Sequence, residues 1–259
     1  MTAAPPAHDG RRRTGRPAIA ADAAGTFLTI PHPTAAEVLA QTGFDFLIAD
    51  TEHISMGPET TEYLIRAADV HGVPTMVRLP GQSEEAIVSA LNAGAAGIFV
   101  SRVSSAAEAA AAVAATRFPP RGRRGVGPVR AAGFGAAMQP YLAADDEGIL
   151  VAAQIGTAEG VADISAIAAT DGIDVVFIGP TDLRMALGTF GTDDDRPFDA
   201  AVAAILAACR AAGCAAGIFC ARAEEVETWR ERGFRFFIVG SDAGFMSAAA
   251  AASISALSR

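Results

Sequence analysis

The sequence predicts an α/β fold, a parallel eight-stranded (β/α)8 or TIM barrel. Eight short apolar runs alternate with helical stretches, the pattern of a parallel sheet built from βα units. The chain has 259 residues and is 51% hydrophobic, enough for one such barrel at roughly 250 residues. The apolar runs end in polar residues or glycine, so the chemistry gathers at one end of the sheet. No Gly-x-Gly-x-x-Gly follows a strand, which disfavours the runner-up, an open doubly wound sheet.

In chain order, residues 1–24 contain Pro, Ala and the run Arg11-Arg12-Arg13 without apolar periodicity, and read as a disordered tail. Residues 25–259 read as a single barrel domain. The paired arginines resemble an export signal, but Asp22 interrupts the weak apolar stretch behind them. Thr26–Ile30 reads as the first strand. Pro33 to Gly43 reads as a helix, with Pro at its start and Gly at its end. Asp45–Asp50 is the second strand, and Pro58 opens a helix running to about His71. Pro74–Arg78 is the third strand, and Ser83 caps a helix ending near Asn92 to Gly94. Gly97–Val100 is the fourth strand, ending at Ser101-Arg102, and Ser104–Thr116 is an Ala-rich helix. Phe118 to about Asp145 is rich in Gly, Pro and Arg and reads as irregular; so long a loop usually serves function or an interface. Strands then follow at Ile149–Ile155, Asp174–Ile178, Ala216–Phe219 and Phe236–Val239. Helices follow at Phe198–Ala212, at Ala223–Gly233 and at the Ala-rich C-terminus.

Composition narrows the chemistry. A net charge of -9 repels phosphate and argues against a nucleic-acid partner. No apolar run reaches the roughly 18 residues of a membrane span, so no membrane partner is expected. Cys209, Cys214 and Cys220 lack zinc-ligand spacing and read as free thiols of a reducing cytosol, which points to a cytoplasmic protein. All twenty basic side chains are arginine. Without a lysine amine, neither a Schiff base to substrate nor pyridoxal phosphate (PLP) catalysis is open to the chain.

In a barrel, the strand C-termini converge on the active site. The candidates there are Asp50, Glu52, His53, Arg78, Arg102, Gln154, Asp182 and Asp242. His53 is the best single candidate for a base, because imidazole titrates near working pH.

Five motifs occur in order along the chain: Asp50-Thr51-Glu52-His53, Val77-Arg78, Arg123-Arg124-Gly125-Val126-Gly127, Phe177 to Leu183 and Val239-Gly240-Ser241-Asp242. Together they resemble the HpcH/HpaI aldolase family, from about residue 25 to the end. That resemblance implies a class II pyruvate aldolase, a carbon–carbon lyase acting on a 2-oxo acid through an enolate. It implies His53 as base and Arg78 as the arginine on the keto oxygen, with Asp50 and Glu52 supporting them. It implies Gly179, Pro180, Thr181 and Asp182 as the cradle for the substrate carboxylate and Asp182 as a ligand to a divalent metal (Mg, Mn or Co); Gln154 and Arg102, at the ends of strands five and four, are read as further substrate contacts from their place at the mouth. It also implies a homo-oligomer, a hexamer built as a trimer of dimers with the last helix exchanged between subunits.

The chain departs from the family pattern at three places. Gly156 stands where the resemblance puts a second metal-ligand glutamate, Asn92 where it puts an aspartate partner for the base, and Ser101-Arg102 where strand four often ends in proline. One carboxylate holds a hard cation less well than two. The expectation is therefore weak metal binding, with Arg78 and Arg102 taking over much of the metal's electrostatic role. The alternatives are a metal-independent lyase, decarboxylase or isomerase on the same scaffold, and a non-catalytic ligand-binding relative. Plainer readings make His53 a packing residue, Arg78 a salt-bridge partner of Asp50 or Glu52, Asp182 an N-cap and Asp242 a helix cap.

Overall fold

The structure, a computed structural model, describes residues 22–144 and 148–257. It is a closed parallel barrel with strand order β1 to β8. The strands are β1 Ala23–Leu28, β2 Phe46–Asp50, β3 Thr75–Leu79, β4 Gly97–Val100, β5 Leu150–Ile155, β6 Val175–Ile178, β7 Ala215–Cys220 and β8 Phe236–Ser241. The helices are α1 Pro33–Ala40, α2 Pro58–Val70, α3 Glu84–Asn92, α4 Ala106–Thr116, α5 Met138–Ala144, α6 Ala158–Ala162, α7 Ile164–Ala168, α8 Pro180–Ala186, α9 Arg196–Ala212, α10 Glu225–Arg232 and α11 Asp242–Ser255.

Two expectations change. The stretch read as irregular holds a kinked 3-10 turn, Arg130–Gly135, and the short helix α5. Glycines and prolines hid both, and neither has an amphipathic stripe long enough to read. The tail expected over residues 1–24 lies mostly outside the described residues, but Ala23 and Ala24 already belong to β1, paired with Phe236 and Phe237 of β8.

Strand parity sorts the core into two compartments. Side chains on alternate residues face opposite sides of a strand. One set, including Leu47, Val77, Ile98, Val151 and Val176, packs under the helices. The other set fills the barrel interior with Phe27, Phe46, Phe99, Phe177, Phe236 and smaller neighbours. The rings of Phe46 and Phe236 stack at 4.5 Å, and Phe99 meets Phe177 edge-on at 4.7 Å. Gly25 makes room for this interior: a Cβ there would lie 2.2 Å from the Phe46 ring.

The same parity carries polar groups to the top of the interior. Asp50 follows Ile48 by two residues, Arg78 follows Met76, and Gln154 follows Ala152. Each therefore shares the inward face, one layer above the aromatic floor. Asp50 and Arg78 are register partners across β2 and β3.

Candidate active site

The Arg78 side chain is 9% exposed and Asp50 3%. A lone charge at that depth would be costly, so the pair is held by two parallel hydrogen bonds: Arg78 Nε donates to Asp50 Oδ1 at 3.0 Å and Nη2 to Oδ2 at 2.7 Å. The guanidinium lies 4.1 Å from the centre of the Phe27 ring, and its planar face suits that contact. Nη1 makes an ion pair of 3.5 Å with Glu52 Oε2.

Asp50 also shapes the loop beyond β2. Its Oδ1 accepts from the backbone N–H of Glu52 at 3.1 Å and of His53 at 3.3 Å, an Asx-type turn. Thr51 ties the same loop to β3, its hydroxyl donating to the Arg78 carbonyl at 2.6 Å. His53 therefore stands at the mouth with its side chain 58% exposed and Nε2 3.6 Å from Glu52 Oε2. The Glu52 side chain is 10% exposed and sits between arginine and histidine, and this Oε2 atom accepts no hydrogen bond. Four residues from the first motif and the second thus form one contiguous cluster. Phe27 and Thr51, which complete it, were not singled out from sequence. Phe27 lies on the inward parity of β1, and Thr51 lies within the first motif.

A second polar group lies across the mouth, on β5 and β6. Gln154 is buried, and its Nε2 donates to Asp182 Oδ2 at 3.2 Å. Gln154 Oε1 is buried without a partner. Gly179 is the N-cap of α8, with Pro180, Thr181 and Asp182 in the first turn. Gly156 adjoins this group: a Cβ built there meets only Asp182 Cβ, at 3.3 Å.

The remaining candidates fall elsewhere. Arg102 is exposed on the rim between β4 and α4, with a φ of 55°. An exposed guanidinium is poorly suited to neutralise charge developing inside a shielded site. Asn92 is the last residue of α3, and its Oδ1 accepts from Arg124 Nη2 at 3.1 Å. Arg124 is buried against the Phe118 and Tyr141 rings, Arg123 pairs with Glu84 at 2.5 Å and Arg130 with Asp69 at 2.5 Å, so these arginines anchor the segment after α4. Burial raises the Tyr141 phenol above its ordinary range, the Arg124 charge opposing. Asp242 braces the loop after β1, accepting from Thr29 N at 2.8 Å, Thr29 Oγ1 at 2.5 Å and Ile30 N at 2.9 Å. His32 caps α1, its Nδ1 accepting from Thr34 N at 3.2 Å.

The donor set does not amount to a metal site. Among the described residues no group of three or more His, Cys, Asp or Glu side chains is gathered to hold a metal. At the β5 and β6 ends the donors are one carboxylate, Asp182, and the Gln154 carbonyl oxygen. Magnesium and its relatives favour more oxygens than this in near-octahedral array.

The family model described as HpcH/HpaI aldolase/citrate lyase matches residues 23–249. A hydroxypyruvate/pyruvate aldolase of Paraburkholderia phytofirmans is 36% identical over 229 residues, covering 86% of this chain and 88% of that protein. A 4-hydroxy-2-oxovalerate aldolase of Novosphingobium aromaticivorans is 36% identical over 222 residues, covering 84% and 83%. The crystal structure of an HpcH/HpaI aldolase/citrate lyase family protein from Burkholderia cenocepacia superposes with a TM-score of 0.86 at 34% identity, covering 91% of this chain and 94% of that one.

Proposed function

The chain belongs to the HpcH/HpaI aldolase/citrate lyase family and is an aldolase-type lyase, and from that premise we propose that it makes or breaks a carbon–carbon bond beside the keto group of a 2-oxo acid, through an enolate, with His53 as base and Arg78 as the group facing the developing oxyanion. The observation that carries this reading is the Asp50–Arg78–Glu52–His53 cluster, which sets a buried, oriented cation beside an accessible imidazole at the barrel mouth.

In the cleavage direction, His53 takes the proton of the 4-hydroxyl. The C3–C4 bond breaks, its electron pair enters the enolate of the 2-oxo acid, and an aldehyde leaves. Protonation at C3 gives the free 2-oxo acid, and addition is the reverse. Asp50 occupies Nε and one Nη2 hydrogen of Arg78. The remaining guanidinium hydrogens are oriented without cost at the moment of reaction, the condition under which charge stabilisation is strongest. Pyruvate incubated with the protein in deuterium oxide should exchange its methyl protons, and 4-hydroxy-2-oxo acids should release the 2-oxo acid. Absence of both reactions across a panel of such acids would overturn the reading.

A divalent metal (Mg, Mn or Co) is proposed to bind weakly and to be dispensable, because Gly156 contributes no carboxylate beside Asp182. Gly156→Glu should make divalent binding about tenfold tighter or more by titration calorimetry, since it sets a second carboxylate beside Asp182, which yields slightly to a Cβ that would otherwise meet its own at 3.3 Å. Wild-type protein that purifies with stoichiometric metal and dies with chelator would refute this. A cytoplasmic homo-oligomer, a hexamer assembled as a trimer of dimers, is also proposed. In its favour, the apolar helix α11 is left almost uncovered by its own barrel, with Met246 and Ile254 exposed and Leu257, just beyond its end, exposed as well. No helix among the described residues is long and apolar enough to cross a membrane.

A further inference from the structure

Two of the chain's cysteines meet at the corner between α9 and β7. Helix α9 ends at Gly213, whose φ of 78° is left-handed, and the Gly213 N–H donates to the Cys209 carbonyl at 2.8 Å. A glycine cap of this kind turns the chain back on its own helix. The residue after the glycine then packs against the residue four before it. Here those residues are Cys214 and Cys209. Beyond Cys214 the chain is fixed at once: Ala215 N donates to the Asp174 carbonyl at 2.9 Å, and Ala215 is the register partner of Val175 as β7 begins. The two thiols are in hydrogen-bond contact, Cys209 donating to Cys214.

The two sulfurs have unlike surroundings. Cys209 is 2% exposed and belongs to the core under the helices. Cys214 is half-buried and lines an open cavity of about 580 Å³ with Thr170, Asp171, Asp174 and Arg235. That cavity lies at the strand starts, on the barrel face opposite the mouth. Small reagents in solvent therefore reach Cys214 and not Cys209. The thiol chemistry divides the same way. The hydrogen bond from Cys209 favours the Cys214 thiolate and lowers that thiol from its ordinary range, while burial and the Asp174 carboxylate oppose it. Donating that bond, and then burial, raise the Cys209 thiol, with the Arg210 charge opposing. Cys220, buried at the other end of β7, is the contrast: burial, then the Glu225 charge, push its thiol up to about 12. Packing would bury both sulfurs of the corner alike. Instead one faces a solvent cavity and the other stands behind it as a donor, the arrangement of an attacking and a resolving thiol.

We propose that Cys214 and Cys209 form a peroxide-reactive dithiol, with Cys214 the attacking and Cys209 the resolving sulfur. The Cys214 thiolate attacks one oxygen of hydrogen peroxide. The O–O bond breaks, and the departing hydroxide takes a proton from solvent and leaves as water. Cys214 is then a sulfenic acid. Cys209 attacks the Cys214 sulfur, the S–O bond breaks, and the Cys209 proton leaves with the hydroxyl as a second water. A disulfide across the cap remains, and the two electrons lost by the thiols have reduced the peroxide. A small dithiol restores both thiols by exchange, as a reducing compartment requires. The site uses none of the residues at the barrel mouth.

The test uses the full chain, reduced and freed of reductant, with hydrogen peroxide as the probe and free glutathione as the reference thiol. One equivalent of peroxide should convert three titratable thiols into one, with an intact mass lower by two hydrogens. Trypsin cleaves after Arg210, between the two cysteines. The disulfide should therefore join the peptide ending at Arg210 to residues 211–222, and fragmentation should assign it to Cys214 rather than Cys220. Cys214 should be consumed about tenfold faster or more than glutathione. Cys209→Ser should stop at the sulfenic acid, trapped on Cys214 by dimedone, and Cys214→Ser should abolish the reaction. Circular dichroism confirms that each variant is folded, and the wild-type measurements stand without them. Consumption no faster than glutathione, a sulfinic acid on Cys214 with Cys209 still free, or a disulfide through Cys220 or between two chains would overturn the proposal.

Discussion

His53→Ala should lower kcat/KM by about two to four orders of magnitude, the range that a positioned general base contributes. It should do so without measurable loss of stability. The imidazole is 58% exposed and makes a 3.6 Å ion pair with Glu52. With the imidazole itself largely in solvent and the contact long, little folding energy rests on it. Methyl-proton exchange of pyruvate should fall in parallel with cleavage, because both need the same proton transfer. A variant that keeps near-wild-type exchange would remove His53 from the mechanism and turn attention to Glu52, the next ionisable group at the mouth.

Arg78→Lys should fail to rescue function although it keeps the charge. The arginine holds Asp50 with two bonds while presenting further N–H groups, and a single ammonium cannot do both. The expected loss in kcat is about 100- to 1000-fold, comparable to deleting one oxyanion donor. Arg78→Ala should in addition lower stability by about 3–5 kcal/mol in urea unfolding, because Asp50 is left buried and uncompensated. The lysine variant separates the two effects: it should fold and bind, yet turn over slowly. Full activity in Arg78→Lys would reduce this residue to a generic positive charge.

The β2 end was legible before any coordinates, since three ionisable residues close behind an apolar run mark a strand that stops at chemistry. Arg78 was legible in the same way, as the polar end of the β3 run, while its inward position came from the structure. Asn92 shows the limit. The resemblance puts an aspartate partner for the base at its position, and the structure adds what no local pattern announces, that its amide oxygen accepts from Arg124 Nη2. Arg102 shows another limit. The sequence places a cation after β4, but only the turn pinned by Ser101 and Val103, together with the exposure of Arg102, distinguishes the rim from the interior.

What the sequence by itself determined is the periodic part: eight strands, the helices between them, the closed parallel order, the polar strand ends and, through the absence of lysine, the exclusion of Schiff-base chemistry. These depend on local alternation and composition, which are written along the chain. Only the tertiary structure decided that Asp50 grips Arg78 over Phe27, that Glu52 lies between arginine and histidine, and that Gln154 Oε1 faces no partner. Those facts depend on barrel closure, which sets residues distant in sequence side by side and buries them, and burial is what makes each unpaired lone pair and each charge pair count.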